Sequence, residues 1–254
     1  TTRFIVVGAP LIKNNNLKLL DTLLKEVNKK FLKKAVYIQF RNLFEHNKEQ
    51  KEIFKANGYQ YEPHLDIIHK LNIDSNEIYK KIKKNKRGNI NKSINKGTRF
   101  KEVVDMNDYL LSLDLIVQSY RSIGIPCPGK DYFLEIYRRL HSLGILKVFV
   151  ASYDSKIIGT RLELCYNKVV YDWYSGSDPN FNNKYPNDFL PYKILEWGSK
   201  NGYDKFDFGG AGKPNVDYGV RDHKLKFGGD LFEYGRYSRV ENKLVYSLGR
   251  MFFK

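Results

Sequence analysis

Charged side chains are concentrated in a glycine-rich segment near the end of the 254-residue chain. Fourteen residues of this segment include eight titratable side chains, Lys213, Asp217, Tyr218, Arg221, Asp222, His223, Lys224 and Lys226. If the second half is helical, Arg221 and Lys224 share a face that can bind a phosphate or a developing oxyanion. Six glycines between positions 209 and 229 allow backbone N–H groups to approach an anion. The segment predicts a group-transfer or anion-binding site, and the alternative is a tight turn before a charged surface helix.

Several other kinds of site do not fit the sequence. The glycine-rich segment matches neither a P-loop nor a dinucleotide-binding GxGxxG motif, and no Ser-His-Asp or Cys-His order is evident. Cys127 and Cys165 lie far apart without CxxC spacing, which argues against a disulfide framework and a zinc site. This cysteine usage favours a reducing compartment such as the cytoplasm. Because the five histidines are scattered, we predict no metal site.

A basic tract contributes most of the net charge of +16 at pH 7. It contains no acidic residue and ten basic ones, Lys80, Lys81, Lys83, Lys84, Lys86, Arg87, Lys92, Lys96, Arg99 and Lys101. One interpretation is a surface for an anionic partner such as RNA, a nucleotide sugar or a phospholipid surface. The other is a solvated helix face. Isoleucines at 78, 82, 90 and 94 predict an apolar stripe beneath the lysines, on a helix that begins at Asp74 and ends at Gly97 and is either continuous or broken at Gly88.

The hydrophobic periodicity predicts a globular α+β fold with a mainly antiparallel sheet flanked by helices. Extended segments are predicted over 4–7, 35–40, 61–68, 98–104, 145–153, 156–166, 169–175, 203–208 and 231–239. Helices are predicted over 17–31, 48–57, 74–97, 107–123, 131–143, 189–200, 220–227 and 242–253. Asp154-Ser155 and Asn167-Lys168 are two-residue connections suited to antiparallel hairpins.

The last predicted helix has two interpretations. Its apolar residues are Leu244, Val245, Leu248, Met251, Phe252 and Phe253. They can pack onto the domain or lie on a bilayer surface. No run approaches eighteen apolar residues, which excludes a predicted membrane-spanning helix.

Two stretches of the glycine-rich segment resemble the C-terminal signature of the FemABX-like transferases. These relatives of the GNAT acyltransferases build the interpeptide bridges of peptidoglycan. The stretches run from Tyr203 to Lys213 and from Tyr218 to Gly229. The usual family ending is Phe-Lys-x-Gly-Phe-Gly-Gly. The chain matches its lysine with Lys224 and its Phe-Gly-Gly with residues 227–229, but it has His223 and Lys226 where the family has phenylalanine and glycine.

Two further segments carry the same resemblance, which covers about residues 60–240. Residues 86–92 resemble the basic helix that opens the second family domain, and residues 185–190 resemble the loop entering its long helix. The resemblance implies tandem GNAT-like domains, with an incomplete first domain over residues 1–65 and a second over 66–254 that carries the site. The chain starts inside a predicted strand and without Met, so we expect natural sequence before Thr1.

The resemblance also implies an activity, which is transfer of an aminoacyl group from a charged tRNA to an amine of a cell-wall precursor. It implies no bound cofactor and a cytoplasmic location, which includes the inner face of the membrane. Lys224 is expected to stabilise the tetrahedral intermediate or a substrate anion, and Arg87 to contact phosphate. The other substrate-binding residues implied are Trp173, Tyr174, Tyr218, Arg221, Phe227, Gly209 and Gly210.

Three of these roles have alternatives. Asp188 is the candidate for accepting the amine proton, and the explanation favoured over it is an ordinary N-cap acid. Trp173 and Tyr174 can form a wall of the acceptor site or belong to the core.

Two other functions remain open at the level of sequence. The first is a GNAT N-acyltransferase that uses an acyl-CoA or an acyl carrier protein, whose acidic surface would suit the basic tract. The glycine-containing loop that holds the pyrophosphate of acetyl-CoA in GNAT enzymes is missing before the helix at 189, which argues against acetyl-CoA. The second is a non-catalytic module that binds RNA or a membrane surface. The sequence leaves the donor, the acceptor, the transferred group and the oligomeric state open.

Overall fold

A computed structural model describes residues 2–252, and for residues 250–252 the backbone alone. The helices are α1 Leu17–Phe31, α2 Lys48–Ala56, α3 Ser75–Lys81, α4 Lys84–Asn95, α5 Met106–Ser122, α6 Lys130–Leu140, α7 Pro186–Lys200, α8 Gly219–Leu225 and α9 Lys243–Phe252. The strands are β1 Arg3–Val7, β2 Tyr37–Arg41, β3 Gln60–Glu62, β4 Leu65–Lys70, β5 Arg99–Glu102, β6 Leu146–Tyr153, β7 Lys156–Tyr166, β8 Val169–Ser177, β9 Lys205–Gly210, β10 Asp230–Glu233 and β11 Arg236–Val240.

The chain divides into two compact units. The first combines Thr1–Asp66 with Gly212–Asp217 and Phe232–Lys254, and the second combines Ile67–Ala211 with Tyr218–Leu231. Strand β11 belongs to the first unit, because it pairs antiparallel with both β2 and β3 in the four-stranded sheet β1-β2-β11-β3. The domain bounds 1–65 and 66–254 stay a prediction. That the first unit is an incomplete GNAT-like domain stays a prediction.

The first unit has an aromatic core. The ring of Phe54 stacks on that of Tyr237 at 4.0 Å between centroids, and Phe40 and Tyr59 meet Phe54 edge to face. Tyr237 comes from β11, so this core needs the C-terminal strand to be complete.

The structure of α9 is compatible with both interpretations of this helix, packing onto the domain and lying on a bilayer surface. Tyr246 packs edge to face on Tyr37, at 5.2 Å between ring centroids. Leu244 is 73% exposed, and Leu248 is also exposed. The side chains of Met251 and Phe252 and the whole of Phe253 lie outside the described residues. Between residues 2 and 252, no helix has the length and apolar character needed to cross a membrane.

The second unit is built on a seven-stranded sheet of order β10-β4-β9-β8-β7-β6-β5. Strands β5 to β8 pair antiparallel in sequence order, whereas β8 pairs parallel with β9. Both predicted hairpin turns are present, and their residues Asp154, Ser155, Asn167 and Lys168 all have positive φ, as two-residue type I′ turns require. The predicted α+β fold with a mainly antiparallel sheet is therefore confirmed.

Helices cover both faces of this sheet. Alternate residues of β6 point to opposite faces: Val148 and Val150 join a core with Leu113 of α5 and Phe133 of α6. Phe149, between them in sequence, packs on Trp197 of α7 at 4.7 Å. α5 approaches β8 so closely that a Cβ on Gly176 would lie 2.6 Å from the carbonyl oxygen of Leu115.

The basic tract forms two helices, as one of the two interpretations had it, but the break is not at Gly88. Gly88 lies inside α4, and the chain turns instead at Ile82, whose backbone is extended with φ −70 and ψ 133. The side chain of Ile82 is buried there, which compensates for leaving the helix. Ile78 and Ile90 are buried as predicted, but Ile94 is 47% exposed.

Candidate active site

A cavity of about 380 Å³ opens in the second unit where strands β8 and β9 separate. The two strands pair only through Val169–Tyr171 and Lys205–Asp207. Beyond this point Asp172, Trp173, Tyr174 and Ser175 of β8 face Phe208 of β9 across the cavity. Separation of two parallel strands thus exposes side chains that regular pairing would cover.

A β-bulge explains why consecutive residues of β8 line the cavity. Leu162 of β7 pairs with Tyr174, and the next residue, Glu163, pairs with Asp172, so Trp173 has no partner on β7. An extra residue in one strand bends it and re-aims its side chains. Asp172, Trp173 and Tyr174 therefore all reach the cavity, although neighbours in a regular strand point to opposite faces.

Lys224 lies on the cavity wall and is held by the end of β9. Its Nζ donates hydrogen bonds to the carbonyl oxygens of Phe208 at 2.6 Å and Gly210 at 3.0 Å. Residue Gly209, between these two carbonyls, has a φ of +67, in the left-handed region that favours glycine. This arrangement fixes an ammonium group where negative charge can develop on a substrate in the cavity.

A buried ion pair lies behind the cavity. Lys86 of α4 and Asp188 of α7 are 8% and 7% exposed and form a salt bridge. Asn89 donates from Nδ2 to Oδ2 of Asp188 at 2.6 Å. Lys86 also contacts His223 of α8, with 3.2 Å between its Nζ and the ring Nδ1. Four side chains from three helices therefore form one polar network.

The position of Asp188 corrects one interpretation from the sequence. Asp188 does not cap α7, because the N-cap residue is Tyr185, in the left-handed region with φ 55. The carboxylate of Asp188 instead binds Lys86 and Asn89. Asp188 is not among the described residues that line the cavity, so its predicted contact with the acceptor amine stays untested.

The structure brings together some of the other predicted site residues. Trp173, Tyr174, Lys224 and Phe227 line the cavity, and Gly209 and Gly210 form the end of β9 beside Lys224. Three further predicted residues lie neither in the described lining nor at the end of β9. Arg87 lies over the ring of Tyr79 at 5.7 Å, Arg221 donates to the carbonyl of Ala211 at 3.3 Å, and Tyr218 is the exposed N-cap residue of α8.

The sequence did not reveal Arg161, which forms an ion pair with Asp172. The guanidinium Nη1 of Arg161 donates to Oδ2 of Asp172 at 2.5 Å, and both residues line the cavity. A signal was present, because Arg161 and Glu163 are charged residues at alternate positions of a strand that is otherwise largely apolar. Lys86 carried a similar signal, since it occupies the position between Ile82 and Ile90 in the fourfold spacing of the apolar stripe.

Burial shifts the ionisation of three groups around the cavity. It lowers the pKa of His223 to about 4, with the positive charge of Lys86 as the next cause. Burial raises the pKa of Asp207 to about 6, although the N–H of Gly209 and the charge of Lys224 act in the other direction. Burial also raises the pKa of Glu163 well above its ordinary value, and Asp172 adds to this effect. Because its pKa is about 4, His223 is uncharged at neutral pH.

Asp207→Asn is expected to stabilise the protein near pH 7 but not near pH 4. Because the pKa of Asp207 is raised in the folded state, stability falls as pH rises from about 4 through about 6. A shift from 3.8 to about 6 corresponds to at most about 3 kcal/mol at 1.36 kcal/mol per pKa unit. Urea unfolding at both pH values measures the effect, with Asp204→Asn, an exposed position, as control. Equal changes in stability at the two pH values would refute a raised pKa of Asp207 in the folded protein.

Comparisons with known proteins identify the family of this chain. A sequence model of the acetyltransferase (GNAT) domain family matches residues 83–224, more than half of the chain. A comparison with curated proteins found no significant match.

Solved structures share the fold at low sequence identity. The crystal structure of FemX aligns with a TM-score of 0.74 and 15% identity over 96% of this chain and 82% of that chain. The C-terminal domain of a putative lysylphosphatidylglycerol synthetase from Agrobacterium fabrum aligns with a TM-score of 0.65 and 16% identity, over 99% and 81% of the two chains. A GCN5-related N-acetyltransferase from Sphaerobacter thermophilus aligns with a TM-score of 0.58 and 11% identity, over 94% of this chain and 73% of that chain. The chain therefore belongs to the acetyltransferase (GNAT) domain family, has a FemX-like fold, and is an N-acyltransferase that needs an acyl donor and an amine acceptor.

Proposed function

We propose that this N-acyltransferase moves an aminoacyl group from an aminoacyl-tRNA to an amine of a peptidoglycan precursor. The observation that carries the proposal is the ammonium group of Lys224, held by the carbonyls of Phe208 and Gly210 on the cavity wall. When an amine attacks an ester, the carbonyl oxygen becomes negatively charged. An ammonium group oriented beforehand stabilises that oxyanion more than it stabilises the neutral ester.

The proposed reaction conserves atoms and charge. The amine nitrogen forms a bond to the carbonyl carbon of the aminoacyl ester, and the bond from that carbon to the tRNA oxygen breaks. The attacking amine loses one proton, and the departing oxygen gains one. The product is an amide, and the reaction requires no oxidant, metal or bound cofactor.

The connection between β8 and α7 argues against acyl-CoA as the donor. Pyrophosphate binding at this position would need available backbone N–H groups. Pro179 and Pro186 have none. Protein acceptors already bind the backbone N–H groups of Asp178, Asn180, Phe181 and Tyr185. This connection contains no glycine between 177 and 185, so its backbone is poorly suited to a pyrophosphate.

The basic tract supports a polyanionic donor. Fewer of its ten basic residues are available to bind phosphate than the composition suggests. Lys86 is buried, Lys80 pairs with Glu77, and Lys101 pairs with Asp108. We define the basic face as the exposed residues Lys81, Lys83, Lys84 and Lys92 of α3, α4 and the turn between them. A surface of this kind attracts a phosphate backbone by releasing counterions.

Changing the four lysines of the basic face to glutamine is expected to weaken tRNA binding and to flatten its salt dependence. Each phosphate contact that is lost lowers the slope of log K against log salt by about 0.7–0.9, so four contacts lower it by about 3. Filter binding between 50 and 200 mM salt measures both quantities. The matched control changes four lysines elsewhere in the same unit, Lys130, Lys168, Lys200 and Lys205, with the same change in net charge. An unchanged slope in the basic-face variant would contradict a tRNA contact there.

The acceptor is proposed from the fold similarity to FemX and from the signature around Lys224. A donor and acceptor screen tests it. Labelled aminoacyl-tRNA, acetyl-CoA and an acylated carrier protein are each offered with a peptidoglycan pentapeptide precursor or with phosphatidylglycerol vesicles. We expect label in the precursor with aminoacyl-tRNA alone. Label from acetyl-CoA or the carrier would replace the proposed donor, and label in the vesicles would replace the acceptor. Binding of tRNA or vesicles without any turnover would indicate a non-catalytic module.

A further inference from the structure

His223 connects the cavity to the buried ion pair of Lys86 and Asp188. Its ring lies on the cavity wall beside Lys224, its neighbour on α8. One edge of the ring faces Lys86, with 3.2 Å between Lys86 Nζ and His223 Nδ1. Phe227 packs against the same ring at 5.4 Å between centroids. The ring is therefore held between a fixed cation on one side and the cavity on the other.

The contact with Lys86 determines where the proton of the imidazole lies. A lysine ammonium group has three hydrogen-bond donors and no acceptor. The Nδ1 atom of His223 must therefore accept the hydrogen bond from Lys86, so Nδ1 carries no proton. In a neutral imidazole the proton then lies on Nε2, which becomes a hydrogen-bond donor.

Burial keeps the His223 ring neutral, and the positive charges around it act in the same direction. Lys86 lies against its Nδ1, and Arg161 and Lys226 add positive charge from β7 and the end of α8. Asp188 of α7 opposes them but is itself neutralised by its salt bridge to Lys86. Protonation of His223 would put a second cation against Lys86 in a buried position, and the pKa near 4 reflects this cost.

Lys86 is in turn held in place by its own partners. Its salt bridge to Asp188 and the hydrogen bond from Asn89 to the same carboxylate restrain the ammonium group in the position where it meets His223. A buried salt bridge is weak evidence for stability, because desolvation can offset the attraction. A role in orienting a cavity side chain accounts for this network better than a gain in stability.

We propose that His223 is a neutral hydrogen-bond donor, through Nε2–H, to the carbonyl oxygen of the acyl donor, and that Lys86, Asp188 and Asn89 are its positioning residues. The inference rests on the acyl-transfer function proposed above and deepens it. His223 and Lys224 then share the developing oxyanion: Lys224 supplies charge and His223 supplies a directed N–H. The FemABX-like signature has phenylalanine in place of His223, so the second donor is a feature of this chain.

The first test reads the tautomer directly and needs no substrate. Long-range ¹⁵N–¹H spectra of the labelled wild-type protein between pH 5.5 and 8 report which ring nitrogen carries the proton, and His223→Gln assigns the signal. We expect the Nε2–H form throughout, without titration. A proton on Nδ1, or titration above pH 6, would overturn the inference and leave the proposed function intact.

The second test asks whether Lys86 donates a hydrogen bond to His223 Nδ1. In Lys86→Met the ¹⁵N shift of His223 Nδ1 should move to that of a ring nitrogen that accepts no charged hydrogen bond, whereas Lys96→Met, at the exposed end of α4, should leave it unchanged. An unchanged Nδ1 shift in Lys86→Met would remove Lys86, Asp188 and Asn89 as positioning residues. If Lys86→Met does not fold, the wild-type spectrum still decides between the two tautomers.

The third test links the hydrogen bond to turnover with aminoacyl-tRNA and the pentapeptide precursor. His223→Gln keeps an N–H near the position of Nε2 and should retain kcat within about threefold, whereas His223→Phe should lower kcat at least about tenfold with little change in KM. Full activity in His223→Phe would overturn the hydrogen-bonding role of His223 and would leave the proposed function intact. Absence of turnover by the wild type with every donor would overturn both this inference and the proposed function.

Discussion

Replacing Lys224 by methionine is expected to lower kcat by about 10²–10³-fold and to leave KM nearly unchanged. Losses of this size follow removal of one preorganised donor from an oxyanion site. KM should change little, because the ammonium group interacts much more strongly with the oxyanion of the transition state than with the neutral ester. The carbonyls of Phe208 and Gly210 hold the ammonium in place before substrate arrives, so reorganisation is small in the wild type.

The matched control for Lys224→Met is Lys226→Met, two residues further along the chain. Lys226 is partly buried like Lys224 but is not among the described residues that line the cavity. Initial rates with aminoacyl-tRNA as donor, together with a thermal melt of each variant, separate catalysis from folding. If both variants lost the same activity, or if Lys224→Met raised KM without lowering kcat, stabilisation of an oxyanion by Lys224 would be refuted.

Phe133→Ala is expected to lower the free energy of unfolding by about 3–5 kcal/mol, the usual cost of truncating a buried aromatic side chain. Phe133 is fully buried between α6 and the sheet. Its ring meets Tyr174 edge to face at 5.0 Å and Trp173 at 6.0 Å. Both of these side chains line the cavity, so the truncation should also lower kcat/KM by loosening the aromatic wall.

The control for this prediction is Leu146→Ala. This change creates a cavity in the same core, at the first residue of β6. Leucine truncations cost about 2–5 kcal/mol, so the two variants are comparable in stability. Urea unfolding gives the stabilities, and kcat/KM is measured well below both unfolding midpoints. We expect only Phe133→Ala to lose activity among the folded molecules. Equal losses would mean that the effect follows stability rather than the aromatic wall.

Local structure could be predicted well from the sequence because it depends on neighbours. The two hairpins follow from residue pairs that tolerate positive φ, and α1 follows from apolar spacing. The family signature around Lys224 was sufficient to predict the fold and the acyl-transfer chemistry, both of which the comparisons support. Gly88 was the candidate break in the basic tract, but the break lies at Ile82, because the burial of Ile82, which favours the turn, depends on the rest of the fold.

Sequence by itself determined the α+β class, the hairpins and the identity of Lys224 as a candidate catalytic residue. Tertiary structure alone decided which residues meet in the cavity. Lys86 lies 102 residues from Asp188 and 137 from His223 in the sequence, and no local periodicity encodes contacts at such separations. The bulge that exposes Asp172, Trp173 and Tyr174 depends on pairing with β7, and Arg161 becomes a cavity residue only through that sheet. The physical reason is that backbone propensities act over a few residues, whereas burial and charge pairing act between whichever residues the fold brings together.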